Sequence, residues 1–239
     1  MDNNINNIKK KVLIIIPAYN EEKNLPLVFD DIARHCNYCK TLVINDCSTD
    51  GTAVLCEERG VQRIDLPINL GIGGAVQTGF KYAVENFFDI AIQMDGDAQH
   101  NATYITDLID CINSGSNVCI GSRFLQEEGF KSTKFRRIGI RFYTGLLQLL
   151  TGKRYTDPTS GFRAFDFMAM SYFINDYSKD FPEPEIIVLL NAMGLDVKEV
   201  PVVMNEREHG KSSITVGKTV YYFVKVTLSM LLSRLVKKV

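Results

Sequence analysis

The chain is 239 residues long, enough for one or two domains and for a core that needs no covalent staples. Lysine and arginine total 27 against 28 aspartates and glutamates, a formal charge of -1, and 46% of residues are apolar. That balance is ordinary for a globular domain; it excludes collagens, disordered chains and disulfide-rich miniproteins, and offers no global positive field for nucleic acid.

Residues 1–10 are rich in asparagine and lack the basic start, apolar middle and small-residue cleavage site of a signal peptide. They read as a disordered tail on a protein that stays in the cytoplasm. Lys11 to Ile16 is a continuous apolar, β-branched run of strand length, Leu25 to Arg34 follows at helical spacing, and Thr41 to Asn45 is again strand-like. Thr52 to Arg59 reads as a helix, Val61 to Leu66 as a strand, Gly73 to Phe88 as a helix, Ile90 to Met94 as a strand, Ala102 to Ser114 as a helix and Asn117 to Ile120 as a strand. Runs buried on both faces that alternate with helices imply an α/β fold with a mostly parallel sheet flanked by helices. The six cysteines lie mostly inside apolar runs and read as reduced thiols; Cys36-x-x-Cys39, beside His35, has no second pair to complete a zinc site and reads as packing.

Ligands of open parallel sheets bind beyond the carboxyl ends of the strands, so the loops there are where chemistry is sought. Asp95-Gly96-Asp97 directly follows a buried strand and sets two carboxylates at the sheet edge. Such a pair repels itself unless neutralised, and Mg²⁺ or Mn²⁺ takes carboxylate oxygens and completes its shell with substrate phosphates. A polar turn capping the next helix is the plainer reading of the same residues. Asp46 ends the second strand, where it would accept from a base N–H or a ribose hydroxyl, or make a local turn bond; Ser48 and Asp50 read as helix caps. The glycines of Asn69 to Ala75 open a helix, yet their spacing is not that of a dinucleotide-binding loop.

In this order, PAYNEE (17–22), INDCSTDGT (44–52), NLGIGGAVQTGF (69–80), DGDAQH (95–100), GSRF (121–124) and DPTSGFRAF (157–165) resemble the inverting glycosyltransferases of family 2. Within it they resemble the dolichol-phosphate mannose synthase-like, polyprenyl-phosphate branch. The resemblance spans about Lys11 to Ser213 and implies a GT-A fold over 11–213, a nucleotide-binding α/β half joined to an acceptor-binding half. It implies that Pro17, Tyr19 and Glu21 hold base and ribose, that Asp46 reads the base, and that Asp97 and Gln99 coordinate Mg²⁺ or Mn²⁺ while Asp95 supports ribose and metal and Gly96 lets the donor approach. Arg123 matches a donor-contacting arginine, and Arg207 with Ser213 matches a loop that closes over the diphosphate, for which an exposed charged hairpin is the plainer reading. Ser160 and Arg163 match the acceptor-side loop, where the arginine fork suits a lipid phosphate; the cluster Arg136, Arg137 and Arg141 reads as a solvated helix face or as a basic membrane-facing anchor with Arg137 near the acceptor.

The reaction implied is metal-dependent transfer from a nucleotide-diphosphate sugar, by family habit a UDP-sugar, to a polyprenyl phosphate for cell-wall and other cell-surface polysaccharide. The alternative acceptor is a sugar hydroxyl of a growing glycan, which needs a general base. Glu183 and Glu185, at the start of a helix expected over Glu185 to Met193, are its candidates, although Pro-Glu-Pro-Glu departs from the family's Glu-Asp. Residues 214–239 read as an amphipathic helix, too short and too charged for a confident membrane span. The expected location is the inner face of the cell membrane, peripherally bound to the lipid surface or to a membrane partner, with homo-oligomerisation open.

Overall fold

The computed structural model describes residues 10–125, 134–175, 183–205 and 225–232. The tail expected over 1–10 lies outside them except for Lys10. Seven strands form one sheet: β1 (Val12–Ala18), β2 (Lys40–Asn45), β3 (Gln62–Asp65), β4 (Ile90–Gln93), β5 (Val118–Ser122), β6 (Arg163–Asp166) and β7 (Val197–Pro201), in the order β3-β2-β1-β4-β6-β5-β7. The pairs β1–β2, β1–β4, β2–β3 and β5–β7 are parallel, as the buried runs imply, and β6 runs antiparallel between β4 and β5. Sequence reading found neither β6 nor β7. Each is four or five residues long and mixes charged with apolar positions, so periodicity carries little signal there.

The helices are α1 (Leu25–His35), α2 (Thr52–Glu58), α3 (Gly71–Glu85), α4 (Ile105–Asn113), α5 (Lys134–Thr151), α6 (Phe167–Phe173) and α7 (Glu183–Ala192). Their apolar stripes cover both faces of the sheet. One core layer joins Leu13, Ile15 and Ala91 to Phe80 of α3, Phe173 of α6 and Ile187 of α7; the other joins Ile14, Ile16 and Ile92 to Phe29 of α1 and Leu108 of α4. Gly79 marks how closely α3 presses on the sheet, since a Cβ there would lie 2.3 Å from Ile15 Cγ2.

One expectation needs adjustment. Cys36 and Cys39 are joined by a disulfide rather than reduced, because the turn that ends α1 brings them together, with Cys39 N donating to Cys36 O at 3.1 Å; Cys47, Cys56, Cys111 and Cys119 are free. The C-terminal helix is described over 225–232. Val226 and Met230 are buried in the core beside Tyr143 and Leu147 of α5, while Leu228, Leu231 and Leu232 are exposed. No helix among the described residues is long and apolar enough to cross a membrane.

Candidate active site

The loops after β1, β2 and β4 meet at the carboxyl edge of the sheet. Asn20, at a φ of 58°, turns the first loop, donating its N–H to Ser48 Oγ at 2.9 Å and accepting Thr49 N at 2.8 Å through Oδ1. Glu21 N donates to Thr52 Oγ1, Glu22 N donates to Asp50, and Gly51 N donates to Glu22 Oε2, so two loops fold as one unit. Burial tends to raise the Asp50 carboxyl, but hydrogen bonds from Thr52 and from the Glu22 N–H outweigh it and hold Asp50 below its ordinary value. Asp50 accepts Thr52 N at 3.0 Å at the start of α2, although Gly51 takes the N-cap position there; Ser48, expected as a second cap, instead accepts Asn20 N and fastens the two loops. Tyr19 is half exposed at the rim.

Gly96 brings the third loop against this unit. A Cβ on it would lie 3.3 Å from Pro17 O and 3.4 Å from Glu21 Cγ, so Pro17, Glu21 and the Asp-Gly-Asp turn are immediate neighbours. Asp46 is buried under the same edge and caps α3: Leu70 N donates to Oδ1 at 2.6 Å and Gly71 N to Oδ2 at 2.9 Å. The glycine-rich start of this helix thus holds the chain's own carboxylate. Each oxygen of an ionised carboxylate has a second lone pair, so capping and contact with a base are compatible.

Within the Asp95–His100 turn, Gln99 N donates to Asp97 Oδ1 at 3.1 Å, and Ala98 takes a φ of 62°. His100 is buried and organises the turn. Asp95 N donates to its Nδ1 at 2.9 Å, which leaves the ring proton on Nε2, 3.7 Å from Asp95 Oδ2, and the ring stacks on Phe162 at 4.8 Å. Asn205 fastens the turn from beyond β7, its N–H donating to Gln99 O at 2.8 Å. Asp95, Asp97 and Gln99 offer hard oxygen donors within five residues, and among the described residues no group of three or more His, Cys, Asp or Glu side chains could hold a metal ion by itself. Two such neighbouring carboxylates suit Mg²⁺ or Mn²⁺ completed by substrate phosphates.

Arg123 follows β5 and is engaged within the protein. Its Nε and Nη2 donate to Asp157 at 2.5 and 2.7 Å, Nη2 also reaches Thr159 Oγ1, and Arg123 N donates to Asp157 Oδ2. Any contact with a diphosphate would come from a pair already neutralised. Asp157 is oriented in turn by Glu199 of β7, whose carboxylate accepts Thr156 N, Thr156 Oγ1 and Asp157 N at 2.8–3.0 Å. Burial pushes Glu199 above the ordinary carboxyl value, against the pull of those hydrogen bonds. Neither partner was found from sequence; only spatial pairing across strands reveals them.

Arg163 is 1% exposed, with Nε donating to Ser160 O at 2.7 Å and Nη2 to Pro158 O at 2.9 Å. These bonds tie the fork to the loop that carries it. Ser160 is buried with it, its Oγ accepting Phe162 N at 3.3 Å. Glu185 is half-buried in the first turn of α7, which starts at Glu183, two residues before the expected boundary. Arg207 and Ser213, the side chains of Arg136, Arg137 and Glu183, and His209 lie outside the described residues.

Residues 13–177 match glycosyl transferase family 2. The chain is 28% identical over 223 residues to polyprenol monophosphomannose synthase of Mycolicibacterium smegmatis, covering 86% of this chain and 82% of that protein. It is 30% identical over 240 residues to UDP-N-acetylglucosamine--dolichyl-phosphate N-acetylglucosaminyltransferase of Methanococcus voltae, covering 89% and 94%. In fold it is similar to glucosyl-3-phosphoglycerate synthase of Mycobacterium tuberculosis, solved with Mn²⁺ and UDP-glucose, at a TM-score of 0.71 and 17% identity over 95% of this chain and 79% of that one. The GT-A-like mixed sheet, the Asp-Gly-Asp turn packed on the loops of β1 and β2, and the family match agree: the chain belongs to glycosyl transferase family 2.

Proposed function

We propose that this enzyme transfers a sugar from a nucleotide-diphosphate sugar, UDP-linked, to a polyprenyl phosphate, with inversion and with Mg²⁺ or Mn²⁺. The observation that carries the reading is the Asp95-Gly96-Asp97 turn, held by His100 and set against Pro17 and Glu21 beside the buried Asp46. Relatives named for transfer to polyprenol, undecaprenyl and dolichyl phosphates support the lipid acceptor. The solved Mn²⁺ and UDP-glucose complex of the structural neighbour supports the metal and the base.

In this reading Pro17, Tyr19 and Glu21 bracket base and ribose, with Asp46 beneath them. Asp97, Gln99 and Asp95 hold the cation, which when bound offsets the charge that grows on the departing diphosphate. Arg207 and Ser213 are proposed to contact that diphosphate, and Arg123 to act through Asp157 by fixing the loop that carries Ser160 and Arg163. A lipid phosphate is an anion at neutral pH and attacks the anomeric carbon without a general base. A peripheral location on the inner face of the membrane is part of this proposal; in its support, Phe142 and Leu149 of α5 and Leu228, Leu231 and Leu232 of the C-terminal helix are exposed, with Arg141 exposed on α5, a pattern suited to an anionic lipid surface.

The test is incubation with UDP- and GDP-sugars, Mn²⁺ and undecaprenyl phosphate, following label into the organic phase. Lipid-linked product that is lost in Asp97→Ala is expected. Donor turnover onto an oligosaccharide alone, abolished by Glu185→Gln, would replace the lipid acceptor with a glycan hydroxyl.

A further inference from the structure

Strand β4 ends on Gln93, a side chain with 0% exposure whose carboxamide nitrogen and oxygen both lack a hydrogen-bond partner. A buried amide with two unmet groups is worse for stability than an apolar side chain of the same length, so its presence calls for a reason. Its surroundings supply one. A Cβ on Gly161 would lie 3.3 Å from Gln93 Nε2 and 3.2 and 3.3 Å from the two carboxylate oxygens of Asp95. The carboxamide of β4 and the carboxylate of the Asp-Gly-Asp turn therefore converge on the space left by the missing side chain of Gly161. That glycine belongs to the loop between Asp157 and Arg163, and Arg163 is the antiparallel register partner of Gln93.

We propose that Gln93 is a positioning residue for Asp95, held in reserve below the turn. When a nucleotide sugar and its divalent cation settle at Asp95 and Asp97, the Gln93 amide donates to the Asp95 carboxylate and fixes which oxygen faces the ligand. A glutamate at this position would add a third negative charge beside the pair, and an aliphatic residue would have no proton to give. Gly161 keeps the gap open and ties the donor carboxylate to the loop carrying Ser160 and Arg163. The inference rests on the proposed reading of the Asp-Gly-Asp turn as the donor and metal site.

Gln93→Met keeps length and removes both unmet groups. Its melting temperature is expected to equal or exceed that of the wild type, while the concentration of Mn²⁺ giving half-maximal rate rises about tenfold, as for other groups that orient a metal-binding side chain. The thermal upshift produced by UDP or GDP with Mn²⁺ is expected to shrink in the same variant, a readout independent of turnover. Wild-type Mn²⁺ dependence together with an unchanged upshift would overturn the proposal. Gly161→Ala, whose methyl group would crowd both side chains, gives the same decision if Gln93→Met does not fold. Asp97→Ala run alongside separates the two levels. Lipid product surviving in Asp97→Ala overturns the site itself, whereas loss there with an unaffected Gln93→Met overturns only the role of Gln93.

Discussion

Asp157→Ala isolates the buried ion pair on which the acceptor-side loop is built. Arg123 and Asp157 have side chains 3% and 0% exposed and are joined by two charge-assisted hydrogen bonds, with a third from Arg123 N. Removing the carboxylate leaves a guanidinium that water cannot reach, and breaking such a pair costs about 3–5 kcal/mol. In a chain of this size 1 kcal/mol moves Tm by ~2–4 °C, so the variant is expected to melt ~6–20 °C lower in a calorimetric scan. The cost belongs to the stranded charge rather than to the pair as such. Arg123→Met/Asp157→Leu, which removes both charges, is therefore expected to recover most of the loss despite the idle donors of Arg123 N and Thr159. A melting point for Asp157→Ala within about 2 °C of wild type, or a double variant no better than the single, would refute this account of how the loop is held.

Glu199 gives a pH signature. Its folded carboxyl lies above the reference 4.5 because of burial, so the folded chain binds the proton more tightly than the unfolded one, and stability falls as pH rises from that reference through the raised value. Melting curves between pH 4 and 7 should show this decline in wild type and not in Glu199→Gln; parallel curves would count against it. Asp46→Ala frees two N–H groups at the start of α3 and is expected to cost about 1–2 kcal/mol by denaturant titration, with no change marking the cap as unimportant. Gly79→Ala drives a methyl into Ile15 and is expected to cost about 1–3 kcal/mol or more; the double variant with Ile15→Ala should lose less stability than the sum of the two single losses, and strict additivity would refute the clash.

The amino-acid sequence by itself determined the first half of the sheet, since Val12–Ala18, residues 42–45 of β2 and Ile90–Gln93 are almost wholly buried and announce it through short apolar runs. It also located the Asp-Gly-Asp turn, because a charged triplet after such a run can only fall at the sheet's carboxyl edge. The partners of those residues were beyond its reach. Glu199 reaches Asp157 across 42 positions and Arg123 reaches it across 34, pairings created because β5 lies between β6 and β7 in the sheet. Asp46 as a helix cap, Arg163 as the builder of its own loop and His100 as the organiser of its turn were likewise decided only by folding. The physical reason is that periodicity records which side of an element faces the core, whereas hydrogen bonds and ion pairs join elements whose neighbours are chosen by the packing of the whole sheet.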